Sequence, residues 1–312
     1  METTLMTLDR TATVEVPAAS LIFYKPTLAD AGRLRDFFSR FPSRSCDYTV
    51  GGILLWVDYF NYRIAIYRDT LFIRGEDENG VFFHEPFGAL DEKEAVYLLK
   101  EYCDANDLVM NIITPGECEA DQAEAMEMLH ENYLPGWREY IYDIDQFVGF
   151  AGKKMQKKRN HLNYFMNHFS DYEMEVISGK HAEELIAFND KFNLYHKEGN
   201  SFDYESGAIS NAIREYDKYP FFGILIRYKG QIIGYTFGEV SGDTFIIHAE
   251  KGDIDYCGVY QAVSSLLSRE IKERFPVVKY LNREDDMDND YLRQSKLSYH
   301  PTKFIAKWEI SA

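Results

Sequence analysis

Three strand-like runs in quick succession, at 221–228, 231–240 and 244–251, most constrain what this chain can fold into. Lys229-Gly230 supplies the first tight turn between them, so they read as an antiparallel meander. A helical pattern at 258–275 follows, then a short strand at 277–281, a short helix at 289–297 and a closing strand at 303–310. Ahead of the meander lie a long helix at 152–168, a strand at 172–177, and helices at 181–195 and 208–216. With Tyr at 23 positions and Phe at 22, the chain has ample material for a large core.

The first half follows a similar plan. Apolar spacing (Leu34, Phe37, Phe38, Phe41) predicts a helix over 30–41 that ends at Pro42. Strand-like runs follow at 53–60, 62–68, 71–75 and 81–84, with a turn at 77–80. Asp91 caps a helix to about 103, with Glu94 three residues on. A buried strand at 108–114 stops at Pro115-Gly116. A helix at 121–132 and an alternating strand at 137–144 complete the half. At 312 residues the chain is long enough for two domains. The element order of the second half resembles the N-acetyltransferase (GNAT) fold. The expected class is α+β, with tandem GNAT-like domains at 1–148 and 149–312, each a mostly antiparallel mixed sheet flanked by helices.

The net charge of -17 is unevenly spread. Residues 1–150 hold 12 basic and 27 acidic side chains, whereas residues 151–312 hold 22 and 24. Such a chain repels nucleic acid overall, which disfavours binding to double-stranded DNA. A local basic site for a phosphate-rich substrate is compatible with this balance. No apolar run approaches the ~20 residues of a membrane helix, and residues 1–16 lack a signal-peptide pattern. Cys46, Cys103, Cys118 and Cys257 form neither a CxxC pair nor a His/Cys cluster. They read as reduced thiols in a cytoplasmic protein, with no structural metal expected.

Five of the seven residues from Lys153 to Arg159 are basic. On a helix, Lys153, Lys157 and Asn160 share one face, and Lys154, Lys158 and His161 the next. Like charges at this spacing repel. The run therefore reads either as a phosphate site (a nucleotide carrier, an RNA end or an anionic lipid headgroup) or as a helix docked on the acidic first half.

A second polar cluster follows the strand at 277–281. Asn282, Arg283, Glu284 and Asp285 offer an amide, a guanidinium and carboxylates in one turn, where α/β-type folds place sites. Arg283 or Arg293 can hold a carboxylate or phosphate. The alternative is a solvated acidic loop with Asn289 or Asp290 as helix N-cap. Asp286, Asp288 and Asp290 lack the Gly and distal Glu of a calcium loop.

Glu250 lies at a strand end just before the helix that starts at Gly258. It is the candidate base for an amine or hydroxyl. Lys251 can steady an anion, and the helix N-terminus at Gly258 can face a pyrophosphate. The Gln/Arg-x-x-Gly-x-Gly/Ala loop of CoA-binding acyltransferases is absent from 255–261. No nucleophile elbow, Walker A or Rossmann pattern occurs. His84 and His248 flank apolar strands and read as structural. Cys257 near a helix start and Tyr299 are weaker candidates for a reactive thiol and a proton donor.

Gly152-Lys153-Lys154, Lys157-Lys158-Arg159-Asn160 and Asn163-x-Phe165 combine with Asn282-Arg283-Glu284-Asp285, Leu292-Arg293-x-x-Lys296, Tyr299-x-Pro301 and Lys307. Together they resemble the C-terminal catalytic domain family of phosphatidylglycerol lysyltransferase, in its compact soluble branch, over about 25–308. The resemblance implies a tandem GNAT-like fold related to the Fem-type transferases. It also implies transfer of an aminoacyl group from aminoacyl-tRNA to an amine or hydroxyl, on a lipid headgroup or a small molecule. Lys153, Lys154, Lys157, Lys158 and Arg159 would hold phosphates of the tRNA acceptor end. Asn282, Arg283, Glu284, Asp285, Arg293 and Lys296 would line the aminoacyl pocket, with Glu250 as base, and no metal or redox cofactor is implied. Acetyl-CoA or another acyl-CoA is the alternative donor, and a non-catalytic binding module the alternative class. Two departures stand out. The membrane-spanning N-terminal portion of the lysyltransferase has no counterpart here, and Asp288-Asn289-Asp290 replaces glycines common in the family.

Overall fold

The computed structural model of the protein describes residues 21–122, 132–195 and 199–311. In the first half the elements are α1 (Ala31–Arg40), α2 (Val50–Leu55), β1 (Arg63–Tyr67), β2 (Thr70–Asp77), β3 (Gly80–His84), β4 (Phe87–Gly88), α3 (Glu92–Ala105), β5 (Asn111–Glu119) and β6 (Glu139–Asp143). The second half has α4 (Ile144–Gly149), α5 (Gln156–His168), β7 (Glu173–Val176), α6 (Ala182–Tyr195), α7 (Gly199–Arg214), β8 (Phe222–Tyr228), β9 (Gln231–Ser241) and β10 (Thr244–Gly252). It closes with α8 (Val259–Arg274), β11 (Tyr280–Asn282), α9 (Asp290–Leu297) and β12 (Lys303–Ser311).

All the strands among the described residues belong to one sheet, ordered β1-β2-β3-β5-β12-β6-β11-β10-β9-β8-β7, with β4 paired to β2. Each half has one parallel pair, β3/β5 and β10/β11, joined by the helices α3 and α8. A parallel pair requires such a crossover, so the two halves share one β-α-β plan, as expected of tandem GNAT-like units. At the centre the halves exchange strands. β12 lies between β5 and β6, and β6 lies between β12 and β11. Each half thus closes its sheet with the other's last strand.

Helices cover the sheet with apolar stripes. Val263, Leu267 and Ile271 of α8 pack with Phe245, Ile224 and Phe165. Leu34 and Phe37 of α1 pack with Val50 and Ile53 of α2, and Leu98 and Leu99 of α3 pack with Phe72 and Ile112. Burying each large apolar side chain contributes roughly 1.5–3 kcal/mol.

Three local outcomes differ from the sequence expectation. The strand expected at 53–60 is the helix α2, because Thr49 accepts a hydrogen bond from Gly52 N and nucleates a turn. Its residues Val50 to Leu55 are buried all round, which hides helical periodicity. The strand expected to stop before Pro115 runs on to Glu119. Its pairing with β3 is confined to Ile112 and Ile113, so Pro115 sits where only β12 borders β5. The helix expected from 152 begins at Gln156, after a turn at Gly152 with φ +87, leaving Lys153 and Lys154 ahead of it. Most of the helix expected at 121–132 lies outside the described residues, as does the segment 1–16.

Candidate active site between the two halves

The site is built on a bulge. β10 pairs with β9 in regular register except between Ile247 and Ala249, where His248 is the extra residue. Such a bulge re-aims a side chain. The His248 ring lies between two carboxylates, with Nδ1 2.7 Å from Glu284 and Nε2 2.9 Å from Glu239. The Glu239 carboxylate also accepts from the backbone N–H groups of Val50 and Gly51 at 3.2 and 2.6 Å. The first turn of α2, from the first half, thus grips a strand of the second. Gly51 allows this approach: a Cβ there would lie 2.3 Å from His248 Nε2. Burial opposes a charged ring, but the hydrogen bonds to Glu239 and Glu284 outweigh it and push the His248 pKa up to about 9. At neutral pH both ring nitrogens therefore donate.

The loop after β11 is held from several sides. Asn282 is fully buried; its amide donates to Glu139 at 2.5 Å and to the carbonyl of Arg44 at 2.6 Å, and its oxygen accepts from Glu284 N at 2.7 Å. Glu284 has φ +55, a left-handed backbone unusual for a side chain of this length. Lys296 from α9 donates to the carbonyls of Arg283, at 2.6 Å, and Asp285. Arg293 grips both oxygens of the buried Asp286, at 3.0 and 2.8 Å, and reaches Asp288 at 2.9 Å. Asn289 caps α9 by accepting from Tyr291 N and Leu292 N.

A cavity of about 830 Å³ opens between the halves at this loop. Trp56, Tyr59, Phe60, Trp137 and the acidic turn 76–79 line it from the first half. From the second come Glu205, His248, Glu250, Arg283, Glu284, Asp285 and Lys296. Arg283 donates to Glu250 at 2.6 Å, and Ser264 donates to the other Glu250 oxygen at 2.8 Å. Asp285 accepts one hydrogen bond among the described residues, from Met287 N at 3.2 Å. Burial pushes its pKa up to about 7, against the pull of Lys307 and Lys296.

A line of contacts joins the cavity to the basic helix. The Arg283 guanidinium lies 4.7 Å from the centre of the Tyr299 ring. The Lys158 ammonium lies 3.7 Å from that centre and donates to Ser298 at 2.7 Å. Burial lowers the Lys158 pKa to about 8, and Arg283 adds to the effect. Lys153, Lys154, Lys157 and Asn160 are exposed beyond it.

The structure thus gathers Glu250, Arg283, Glu284, Asp285 and Lys296 at one cavity, and brings Lys158 close to it. Other candidates lie elsewhere. Asn282 and Arg293 brace the loop from behind. Arg159 donates to the carbonyls of Phe150 and Gly152, at 2.7 and 2.9 Å. Lys251 is buried and donates to Asn189 at 2.8 Å. Gly258 adopts φ +89 where α8 meets α5, and a Cβ there would lie 2.2 Å from the His161 carbonyl. Cys46, Asp47 and Glu139 come close enough to share a metal, all within 4.8 Å. The Lys307 ammonium, 2.7 Å from Asp47 and 2.9 Å from Glu139, already supplies positive charge there. Sequence reasoning missed Glu239, and it took His248 for a structural residue. The available signal was the polar triplet His248, Glu250 and Lys251 within an otherwise apolar strand.

Comparison with known proteins agrees with this architecture. A conserved protein of unknown function from Bacteroides thetaiotaomicron has a TM-score of 0.80 at 26% identity, covering 93% of this chain and 99% of that one. The structure of L-PGS from Bacillus licheniformis gives a TM-score of 0.59 over 90% of this chain and 91% of that one, and at 16% identity this is a likeness of fold. An uncharacterized protein of Mycoplasmoides gallisepticum is 27% identical over 184 residues, a match spanning 58% of this chain and 57% of that protein. No helix among the described residues is long and apolar enough to cross a membrane. Residues 38–310 match the family described as phosphatidylglycerol lysyltransferase, C-terminal. That match takes in α5, the bulged strand β10 and the loop after β11, and the chain belongs to the phosphatidylglycerol lysyltransferase C-terminal domain family.

Proposed function

We propose that the protein transfers an aminoacyl group from aminoacyl-tRNA to an amine or hydroxyl acceptor. The supporting observation is that the exposed Lys153, Lys154 and Lys157 flank Lys158, from which a line of contacts runs through Tyr299 and Arg283 to Glu250 in the cavity. The lysines suit the phosphates at a tRNA 3′ end. The cavity has room for an aminoacyl ester and an acceptor, and its carboxylates suit the donor's ammonium group. Catalysis then rests on holding the two partners in line and on the donors around the ester carbonyl, chiefly Arg283 and Lys296. The ester is itself an activated bond, so the reaction as proposed needs no metal or redox cofactor. The acceptor is a lipid headgroup or a small molecule.

The gap beyond the short β10/β11 pairing favours this donor over acyl-CoA. The pairing ends at Ile246 and Asn282, and the Arg283–Glu250 ion pair with Ser264 occupies the space that follows. An extended thioester arm entering there would have to break a largely buried ion pair.

The test is a transfer assay. Total tRNA charged with labelled amino acids is offered with phosphatidylglycerol vesicles or spermidine as acceptor, alongside calorimetry with acetyl-CoA. Labelled, acceptor-dependent product supports the proposal. Acetyl-CoA binding without transfer moves the reading to an ordinary acyltransferase. Binding of charged tRNA without turnover moves it to a binding module.

A further inference from the structure

Of the carboxylates that line the cavity, Glu250, Glu284 and Asp285 stand together around the loop after β11, with Glu205 facing them from α7, and two of those three are committed. Glu250 spends one oxygen on Arg283 and the other on Ser264. Glu284 accepts from the His248 ring. Asp285 has no side-chain partner among the described residues, and it lines the same cavity.

We propose that Asp285 is the proton acceptor of the transfer, and that His248, anchored by Glu239, is the positioning residue that fixes the Glu284–Asp285 turn. The assignment rests on the aminoacyl-transfer reading above. A nitrogen or oxygen lone pair of the acceptor attacks the ester carbonyl and forms the new C–N or C–O bond. The proton leaving that atom passes to the Asp285 carboxylate. The tetrahedral intermediate collapses, the bond from carbonyl carbon to ribose oxygen breaks, and protonated Asp285 returns a proton to that oxygen. Asp285 is thereby restored, and no other reactant is consumed.

The positioning role follows from the connections of the turn. Glu284 sits in a left-handed backbone: its N–H donates to Asn282, Lys296 donates to the carbonyls of Arg283 and Asp285 on either side, and His248 donates to its side chain. The ring is directed there by the bulge in β10, and the first turn of α2 fixes Glu239 behind it. Both halves of the molecule therefore determine where Asp285 stands. The charged groups facing Asp285 are Lys307 on β12, Lys296 on α9, Glu139 on β6 and Glu284 beside it. Among them burial dominates, and it places the carboxyl near neutrality, the range in which a general base works best.

The experiment is the transfer assay above, run from pH 5.5 to 8.5 on the full chain and on D285N, E284Q and H248Q, each checked for folding by its melting curve. The unmodified protein is expected to lose kcat as pH falls through about 7. D285N is expected to lower kcat by about 100-fold or more with little change in KM, and to abolish that acid limb. H248Q is expected to lower kcat by about tenfold and to shift the limb without abolishing it, which a purely structural residue would not do. Transfer by folded D285N within about threefold of the unmodified rate, or with the acid limb intact, overturns the assignment while leaving aminoacyl transfer standing. An acid limb unmoved in H248Q overturns the positioning role. Absence of transfer by the unmodified protein overturns the aminoacyl reading and this assignment with it.

Discussion

Lys307 and Glu139 meet at 2.9 Å with neither side chain exposed, and they sit on the two exchanged strands β12 and β6. The ammonium also reaches Asp47 at 2.7 Å. One lysine therefore balances two buried carboxylates where the halves interlock, and these carboxylates hold Lys307 protonated against the cost of its burial. K307M is expected to destabilise the protein by about 3–5 kcal/mol, because it leaves Glu139 buried without a counter-charge and Asp47 with only the His84 ring, 3.5 Å away, beside it. Urea denaturation at pH 7 measures this. A midpoint within error of the parent would mean that the cluster is solvated or neutral.

The helix α2 gives a graded series. A Cβ on Gly52 would lie 1.8 Å from the carbonyl oxygen of Cys46, which is backbone and cannot yield. On Gly51 it would meet the His248 ring at 2.3 Å, and that ring moves only by giving up its carboxylates. On Gly32, in α1, it would meet nothing within 4 Å. G51A is expected to cost at least ~1–3 kcal/mol, and G52A more. G32A is expected to be neutral or to gain up to ~1 kcal/mol from helix propensity. Melting temperatures out of this order would show that the α2 contact is looser than the geometry implies.

Much of the fold was legible where one face of an element is buried and the other wet. The helices α1, α3 and α8 follow such patterns, whereas the meander β8–β10, buried on both faces for most of its length, was legible from its tight turns and its β-branched and aromatic runs. The helix α2 was not, because it is buried on every side and carries no periodicity. The exchange of β6 and β12 was not legible either. Pairing between strands distant in sequence leaves no local signal, and each reads equally well as the last strand of its own half. Within the site, the turn from Asn282 to Asp285 stood out as a dense polar cluster beside a short strand. Glu239 did not, since it sits mid-strand among buried residues and acquires its role only where α2 meets it across the chain.

The basic segment separates binding from packing. Lys153, Lys154 and Lys157 are exposed, whereas Lys158 packs on Tyr299. A K153A/K154A/K157A variant should keep its melting temperature and lose affinity for charged tRNA. The slope of log K against log salt should shrink by about 2 in magnitude, at ~0.7 per phosphate contact. K158A should instead cost about 1 kcal/mol of stability, from the lost cation–π contact and hydrogen bond. An unchanged salt slope in the triple variant would remove the segment from the tRNA dock.

The last prediction concerns pH, since His248 and Asp285 oppose each other. The His248 pKa, about 9 in the fold, lies above the ordinary value of 6.5. Its contribution to stability is full below pH 6.5 and is lost as pH rises through about 9. The stability deficit of H248Q should therefore be large at pH 6 and much smaller at pH 9.5. Asp285 is also raised, from 3.8 to about 7, but its neutral form is the protonated one. The folded state binds the proton more tightly than the unfolded state, so this group makes stability fall as pH rises from about 4 to 7. D285N abolishes that loss. It should match the parent near pH 4 and exceed it at pH 8, by on the order of 4 kcal/mol. Urea midpoints at pH 4, 6, 8 and 9.5 for the three proteins test both signs together. A D285N variant that is less stable than the parent at pH 8 would mean that the carboxylate is ionised and paired in the fold. A gain in stability would instead mark Asp285 as a group kept at a cost to stability for its chemistry, as residues at active sites often are.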